Sequence, residues 1–314
     1  MYIVELNKAL ADPTRIRLLN ILLPFELNVG ELVELFQMGQ SRISRHLKIL
    51  SGCGLIRSRR DGQWTFYSAE HNQRLQPFLA GVHSLLAQEV ELEQDKIRAT
   101  EIIKQRTRRT QAFFESLAEQ CPQTSRQALG HLDLSEEILA RVPMGSVVAD
   151  LGCGTGDMLL KLSTTASTVI GVDNSANMLA VAARNIPAKS GISLRIGEID
   201  YLPLRDDEAD VVILSMVLHH LASPQAALLE ISRILKPGGK IIIADFMQHE
   251  KEDMRREYRD LWLGFLPKQV KTWLKQAGFT PKSEKKLPGD GIDVLLLEAE
   301  KNNSNQRKNN DTRT

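Results

Sequence analysis

The stretch Val147-Val148-Ala149-Asp150-Leu151-Gly152-Cys153-Gly154-Thr155-Gly156-Asp157 decides the fold. A short apolar run ending in a carboxylate feeds a glycine-rich turn, and a helix continues through Met158 and Leu162. Glycines between a strand and a helix let the backbone approach a bound cofactor closely. Two cofactor classes compete for such a turn. A dinucleotide fingerprint, G-x-G-x-x-G, needs glycine at 157, where Asp157 stands. The pattern present is G-x-G-x-G with Asp150 just ahead of it. A carboxylate there attracts a cationic cofactor and repels a pyrophosphate.

Outward from this turn, strands and helices alternate, which predicts a parallel α/β sheet. Val169-Ile170-Gly171-Val172 is a second strand, ending at Asp173, a carboxylate able to accept both hydroxyls of a ribose. Ile192 to Ile196 is a third, followed by Gly197-Glu198-Ile199-Asp200 and Leu202-Pro203. Asp210 to Ser215 is a fourth, Pro224 to Leu235 a helix stopped by Lys236-Pro237-Gly238-Gly239, and Lys240 to Asp245 a fifth strand. The segments VVADLGCGTG, GVDNS, EIDYLPL, ILSMVLHH and LKPGGKIIIAD, in this order, resemble the class I S-adenosylmethionine-dependent methyltransferases over roughly residues 112–299. The resemblance implies a Rossmann-like, seven-stranded sheet with helices on both faces. It also implies a cofactor site in which Gly152, Gly154 and Gly156 line the methionine portion and Asp173 holds the ribose, with Asp150 and Asn174 as further cofactor-binding residues. Glu198 and Ile199 would contact the adenine, and Ser215 ends the fourth strand beside them. The family more often has aspartate at position 198; glutamate keeps the acceptor on a longer arm.

Methyl transfer from a sulfonium depends on in-line positioning of the acceptor more than on a catalytic side chain. His219 and His220, just after the fourth strand, are the candidates for a general base or an acceptor-orienting group. Ser215-Met216-Val217-Leu218 replaces the Asn-Pro-Pro-aromatic motif of amino-methylating DNA enzymes. No Pro-Cys pair supplies a cytosine-attacking thiol either; Cys121 precedes Pro122 instead. DNA methylation is therefore not expected. Asp260-Leu261-Trp262-Leu263-Gly264-Phe265 reads as a lid or core element over the pocket.

The first ninety residues carry a different pattern. Asp12-Pro13 starts a helix, a capping carboxylate followed by a proline whose missing N–H is unneeded at the first position. After a second short apolar stretch, Val29 to Phe36, a segment begins at Ser41, read as its cap, and turns Ile43, Leu47 and Leu50 inward. Its other face carries Gln40, Ser41, Arg42, Ser44, Arg45 and Lys48, the small polar and basic side chains suited to base edges and phosphates in a major groove. Leu55 to Arg60 and Trp64 to Tyr67 form a hairpin across Asp61-Gly62, with Arg57, Arg59 and Arg60 on its first strand. Between Ser41 and Arg60 stand six Lys or Arg and no acidic residue. The whole chain has 40 basic and 39 acidic side chains, so any nucleic-acid footprint is this local patch.

ALADPTRIRLLNIL and SRISRHLKILSGCGLIRSRRDGQWTFYS together resemble the ArsR/SmtB family of winged helix-turn-helix repressors over most of residues 6–69. That resemblance implies a homodimer on a palindromic double-stranded operator, with half-sites about one DNA turn apart. Many relatives bind metals through two cysteines at the start of the third helix, where this chain has Asn28 and Gly30. Neither supplies a thiolate, and His83, Glu89 and Glu91 read as surface residues, so no metal site is expected.

The expected organisation is a winged-helix and dimerisation domain at 1–88, a solvent-exposed helical linker at 89–111, a methyltransferase domain at 112–300 and a disordered polar tail at 301–314. Residues from about 74 to 110 read as helix, with Arg106, Arg108 and Arg109 expected on a solvated face, the alternative being an auxiliary phosphate contact. Three cysteines with neither disulfide nor zinc spacing suit a cytoplasmic location, and the opening MYIVELNKALADPTRIR lacks the order of a secretory signal. No apolar run has the length a membrane span needs. Fused proteins of this kind include regulators responsive to S-adenosylhomocysteine that control methionine-cycle genes. The sequence thus predicts a transcription regulator sensing S-adenosylmethionine or S-adenosylhomocysteine; the alternative is a small-molecule methyltransferase with an autoregulatory head.

Overall fold

The computed structural model describes residues 1–70, 74–86, 89–118, 132–187 and 190–303. The chain divides into two compact units, Met1–Arg106 and Thr107–Thr314. Cys121, Pro122 and the tail residues 304–314 lie outside the described residues.

In the first unit, α1 (Tyr2–Leu10) and α2 (Pro13–Leu22) are separated by Asp12, whose side chain accepts the Arg15 backbone N–H as the α2 cap. Asn28 caps α3 (Val29–Phe36) in a reciprocal box with Glu31, so the position where metal-sensing relatives place a thiol is here a helix-starting device. The helix α4 (Gln40–Gly52) starts two residues earlier than a cap at Ser41 implies. Gly39 occupies its cap position, and Ser41 makes no side-chain cap. Three strands, β1 (Leu27–Asn28), β2 (Ile56–Asp61) and β3 (Trp64–Ala69), form an antiparallel sheet in the order β1-β3-β2, the β2–β3 hairpin being the wing. Ile43, Leu47 and Leu50 of α4 are fully buried with Leu18, Leu19, Ile21 and Leu22 of α2.

Two helices, α5 (Gln76–Leu86) and α6 (Val90–Leu117), replace the single helix expected over 74–110. The exposed linker is also corrected. Ala99 and Ile102 belong to the core of the first unit, and Leu92 is buried. Arg17 of α2 grips the fully buried Asp95 through two bonds of 2.7 and 2.8 Å and reaches Glu91 at 2.9 Å. Arg106 is bound to Glu31, so it is not a free phosphate contact. Sparse apolar residues at helical spacing, joined to one buried ion pair, are enough to seat a highly charged helix.

The second unit holds a seven-stranded sheet in the order β6-β5-β4-β7-β8-β10-β9. Its strands are β4 (Val147–Leu151), β5 (Thr168–Asp173), β6 (Ile192–Ile196), β7 (Ala209–Ser215), β8 (Leu235–Phe246), β9 (Phe279–Leu287) and β10 (Val294–Lys301). The first five are parallel; β10 runs antiparallel to both β8 and β9. Successive side chains point to opposite faces. Ala149, Leu151, Val212 and Leu214 therefore pack on one face with α9 (Pro224–Ile234) and α10 (Pro267–Gln276), while Val148, Val211 and Ile213 pack on the other with α7 (Leu134–Leu139) and α8 (Asp157–Leu162). Lys301 closes β10, so the ordered sheet extends one residue into the segment expected as tail. The order reverses between β4 and β7, whose C-terminal ends open a crevice where ligands of open α/β sheets bind.

Candidate functional site

The turn after β4 sits at that crevice. Gly152, Gly154 and Gly156 all have positive φ, at 73°, 52° and 85°, which L-residues adopt only under strain. A Cβ on Gly152 would lie 2.5 Å from Val217 Cγ2, whereas one on Gly154 would meet nothing within 4 Å. The middle glycine therefore borders open space, the first a wall.

That space is a cavity of about 340 Å³ lined by Asp150, Gly152, Gly154, Asp173, Asn174, Glu198, Ile199, Ser215, His219 and His220 among others. Every cofactor candidate read from the sequence except Gly156 lines it, and Gly156 caps the helix that follows, α8. The Asp173 carboxylate accepts the Gly154 and Ser175 N–H groups at 2.9 Å each, which ties the glycine turn to the end of β5. Each oxygen keeps a further lone pair for a ribose hydroxyl. Burial raises the Asp173 pKa against the lowering pull of those backbone donors. Asp150 is buried behind the turn; burial, then the neighbouring Asp173, push its carboxyl up to about 7. Two adjacent carboxylates with no cation among them make the pocket attractive to a positively charged ligand. Glu198 accepts from Asn174 at 3.2 Å, which shortens the effective reach of its longer arm. Asp200, raised to about 6 by burial and by Glu198 and Glu230, adds a third acid at the same end.

The far wall is built around the two histidines. His219 and His220 lie on a short 3₁₀ turn, Leu218–His220, directly after β7. His219 Nδ1 lies 2.7 Å from Asp245 Oδ1, at the end of β8, and its backbone N–H donates to the same carboxylate at 3.3 Å. Burial alone would depress the His219 imidazole, but Asp245 and Asp260 carry it up to about 9. His220 is held well below its ordinary value by burial and by the charge of His219. One imidazole is thus a cation held by carboxylates; the other is neutral. Asp260 stands 3.7 Å from His219 Nε2 and 3.7 Å from His220 Nδ1.

Sequence reasoning missed both partners, because nothing local links Asp245 or Asp260 to the histidines. The link is the segment after Arg259. Leu261 and Trp262 donate backbone N–H bonds to the His219 carbonyl at 3.0 and 3.1 Å, and the Trp262 indole donates to the Leu221 carbonyl at 2.7 Å. Gly264, at φ 73°, lets the following chain pass against Met247, whose carbonyl oxygen would lie 2.3 Å from a Cβ there. The expected lid or core element is thus pinned to the histidine turn, and it delivers Asp260 to the cavity. Phe113 and Phe114, near the end of α6, are further lining residues the reading missed; Phe114 packs edge-on to His220 with ring centres 4.8 Å apart.

In the first unit, Gln40, Ser41, Arg42, Ser44, Arg45 and Lys48 are all exposed on α4, opposite its buried stripe. Arg57 and Arg60 are exposed on the wing. Arg59 is not. It reaches Glu26 at 3.3 Å and Asp61 at 2.8 Å, with its guanidinium over the Phe66 ring, and so ties the wing to the unit instead of projecting from it. Of the surface trio set aside above, Glu91 is taken by Arg17.

The family "Methyltransferase domain" matches residues 149–243, and "Bacterial regulatory protein, arsR family" matches residues 12–58. The demethylmenaquinone methyltransferase of Staphylococcus saprophyticus is 32% identical over 158 residues, 46% of this chain and 68% of that protein. The enzyme of the same name from Mycobacterium tuberculosis is 32% identical over 129 residues, 41% of this chain and 53% of its own length. A 37.1 kDa protein in transposon TN4556 of Streptomyces fradiae is 36% identical over 104 residues, and this chain spans only 30% of it. Among solved structures, a chain from the Haloferax volcanii complex between the Trm112 methyltransferase activator and a methyltransferase superposes with a TM-score of 0.54 at 23% identity. It covers 60% of this chain and 97% of that one, a likeness of fold. Helix-turn-helix, wing, sheet order and glycine turn agree with both matches: the chain belongs to the class I methyltransferase-domain family and carries an arsR-family helix-turn-helix domain at residues 12–58.

Proposed function

We propose that the chain is a transcription regulator whose methyltransferase domain binds S-adenosylmethionine or S-adenosylhomocysteine and thereby sets its affinity for operator DNA. The observation that carries this reading is the cavity of the second unit, where the glycine turn and the carboxyl groups of Asp150 and Asp173 face one space. The exposed basic face of α4 and the wing residues Arg57 and Arg60 supply the duplex contacts. A homodimer accounts for a palindromic site, and large apolar side chains at Ile3, Val4 and Leu85, on α1 and α5, stand exposed on the first unit for such a partner. No described helix is long and apolar enough to cross a membrane. The regulated genes on this reading are those of the methionine cycle, whose flux the ratio of the two nucleosides reports.

A ligand moves the DNA equilibrium only by as much as it prefers one state over the other. The test is operator affinity measured alone and with each nucleoside at saturation. Unequal shifts support the reading; identical isotherms in all three conditions reject it.

A second reading has its own observation. The neutral His220, beside the charged His219 and facing the cavity, is placed to accept a proton from a small methyl acceptor. Turnover of S-adenosylmethionine with a small-molecule acceptor, in the absence of any effect on DNA, would favour that enzyme.

A further inference from the structure

The Asp260 side chain is fully buried, and neither of its oxygens has a hydrogen-bond partner. Its distances of 3.7 Å to His219 Nε2 and to His220 Nδ1 are too long for hydrogen bonds. His220 Nδ1 is likewise buried without a partner. A carboxylate taken out of water and left unbonded is strongly unfavourable, so three polar atoms facing a common gap mark a missing occupant. The Arg255 guanidinium, whose charge lowers the Asp260 pKa, donates to the Leu261 carbonyl and pairs with Glu252.

We propose that His219, His220 and Asp260 bind one divalent transition-metal cation of the zinc class, with Asp245 orienting His219 for it. One ligand atom from each of the three residues lies within 4.8 Å of the others. Ligands on a tetrahedral zinc, at bonds of about 2.0–2.1 Å, stand roughly 3.3 Å apart, so a contraction of a few tenths of an ångström from 3.7 Å brings Asp260 to that spacing from each histidine, and the two histidine nitrogens draw together from within 4.8 Å. Two imidazoles and one carboxylate are a borderline donor set, suited to zinc and its neighbours and poor for calcium or magnesium. The Asp245 bond to His219 Nδ1 keeps a proton there, so a metal would displace only the Nε2 proton of the imidazolium and take the lone pair toward the gap, the arrangement in which a second carboxylate supports a metal-binding histidine. Charge is balanced as well: two neutral imidazoles, two carboxylates and a dication sum to zero. All three ligand residues line the cavity, so a fourth coordination position opens into it. Asn28 and Gly30, where thiolate-sensing relatives bind metals, play no part, because the proposed site is in the other unit. The proposal stands whether or not the chain regulates transcription.

The test is zinc content of the full-length, tag-free protein after zinc loading and exhaustive dialysis, together with the visible spectrum of its cobalt-substituted form. The expected result is one zinc per chain and a low-symmetry cobalt band. Asp260→Asn and His220→Ala should each abolish both, and Asp245→Asn should weaken zinc about 10- to 100-fold. Circular dichroism confirms that each variant folds. Because His220 is partly exposed, its variant keeps the test decisive if Asp260→Asn does not fold. A wild-type protein that retains no zinc overturns the proposal, as does zinc retained equally by His220→Ala and the wild type.

Discussion

Replacing Asp150 by asparagine should make the ligand-free protein more stable and its ligand weaker, two effects of opposite sign from one side chain. The Asp150 carboxyl is raised from 3.8 to about 7, first by burial and then by Asp173. In the unfolded chain it ionises near pH 4. Between those values the folded state holds a proton that the unfolded state has lost, so stability from this group is present below about pH 4 and lost as pH rises to about 7. Three units correspond to about 4 kcal/mol, an upper figure because the charge is shared with Asp173. Asparagine keeps the shape without the charge. A gain of about 1–3 kcal/mol is expected at pH 8, shrinking toward pH 4, which for a unit of this size raises the melting temperature by several degrees. For the wild type, affinity for S-adenosylmethionine should climb between about pH 6 and 8 as the carboxylate ionises beside the cation. S-adenosylhomocysteine, lacking the sulfonium charge, should climb less, and the variant should lose the dependence for both. Thermal melts at pH 5 and 8 and calorimetric titrations over the same range measure this. A variant less stable than wild type at pH 8, with unchanged ligand affinity, would refute the placement of Asp150 as an uncompensated carboxylate behind the pocket.

Three further outcomes are expected. Gly152→Ala should destabilise by about 2–4 kcal/mol, combining positive-φ strain with the 2.5 Å approach to Val217, whereas Gly154→Ala should cost about 1 kcal/mol; urea unfolding of the two variants gives the comparison. Arg45→Ala should weaken operator binding and lower the slope of log affinity against log salt by about one, while Arg59→Ala should instead lower the unfolding midpoint, because Arg59 is tied to Glu26 and Asp61; fluorescence anisotropy across a salt series and thermal melts separate them. Arg17→Met should destabilise the first unit by about 3 kcal/mol, the cost of leaving Asp95 buried with only Arg98 at 3.3 Å, read by chemical denaturation.

Much of the fold was legible because its signals are local. Strand ends at Asp173 and Ser215 fall where alternating apolar runs stop, and the inward stripe of α4 follows from a period of 3.6. The helix start at Gln40 was misread because Gly39, with no side chain to offer, holds the cap position through backbone conformation alone. Residues 90–106 were misread for a different reason. A helix with few apolar residues looks solvated until a partner surface appears, and here Arg17 supplies a buried charge for Asp95. The glycine turn and its carboxylates were legible as a group since they lie at strand ends along one edge. Asp260 was not: 40 residues separate it from His220, and only the backbone bonds of Leu261 and Trp262 to His219 bring it back.

Equilibrium dialysis of the full-length chain against radiolabelled S-adenosylmethionine and S-adenosylhomocysteine bears most directly on the pocket from which the functional account is built. Retention of one nucleoside per chain, lost in Asp173→Ala while the folded content is unchanged, is the predicted result. No retention of either compound at millimolar concentration, or equal retention by Asp173→Ala, would contradict it.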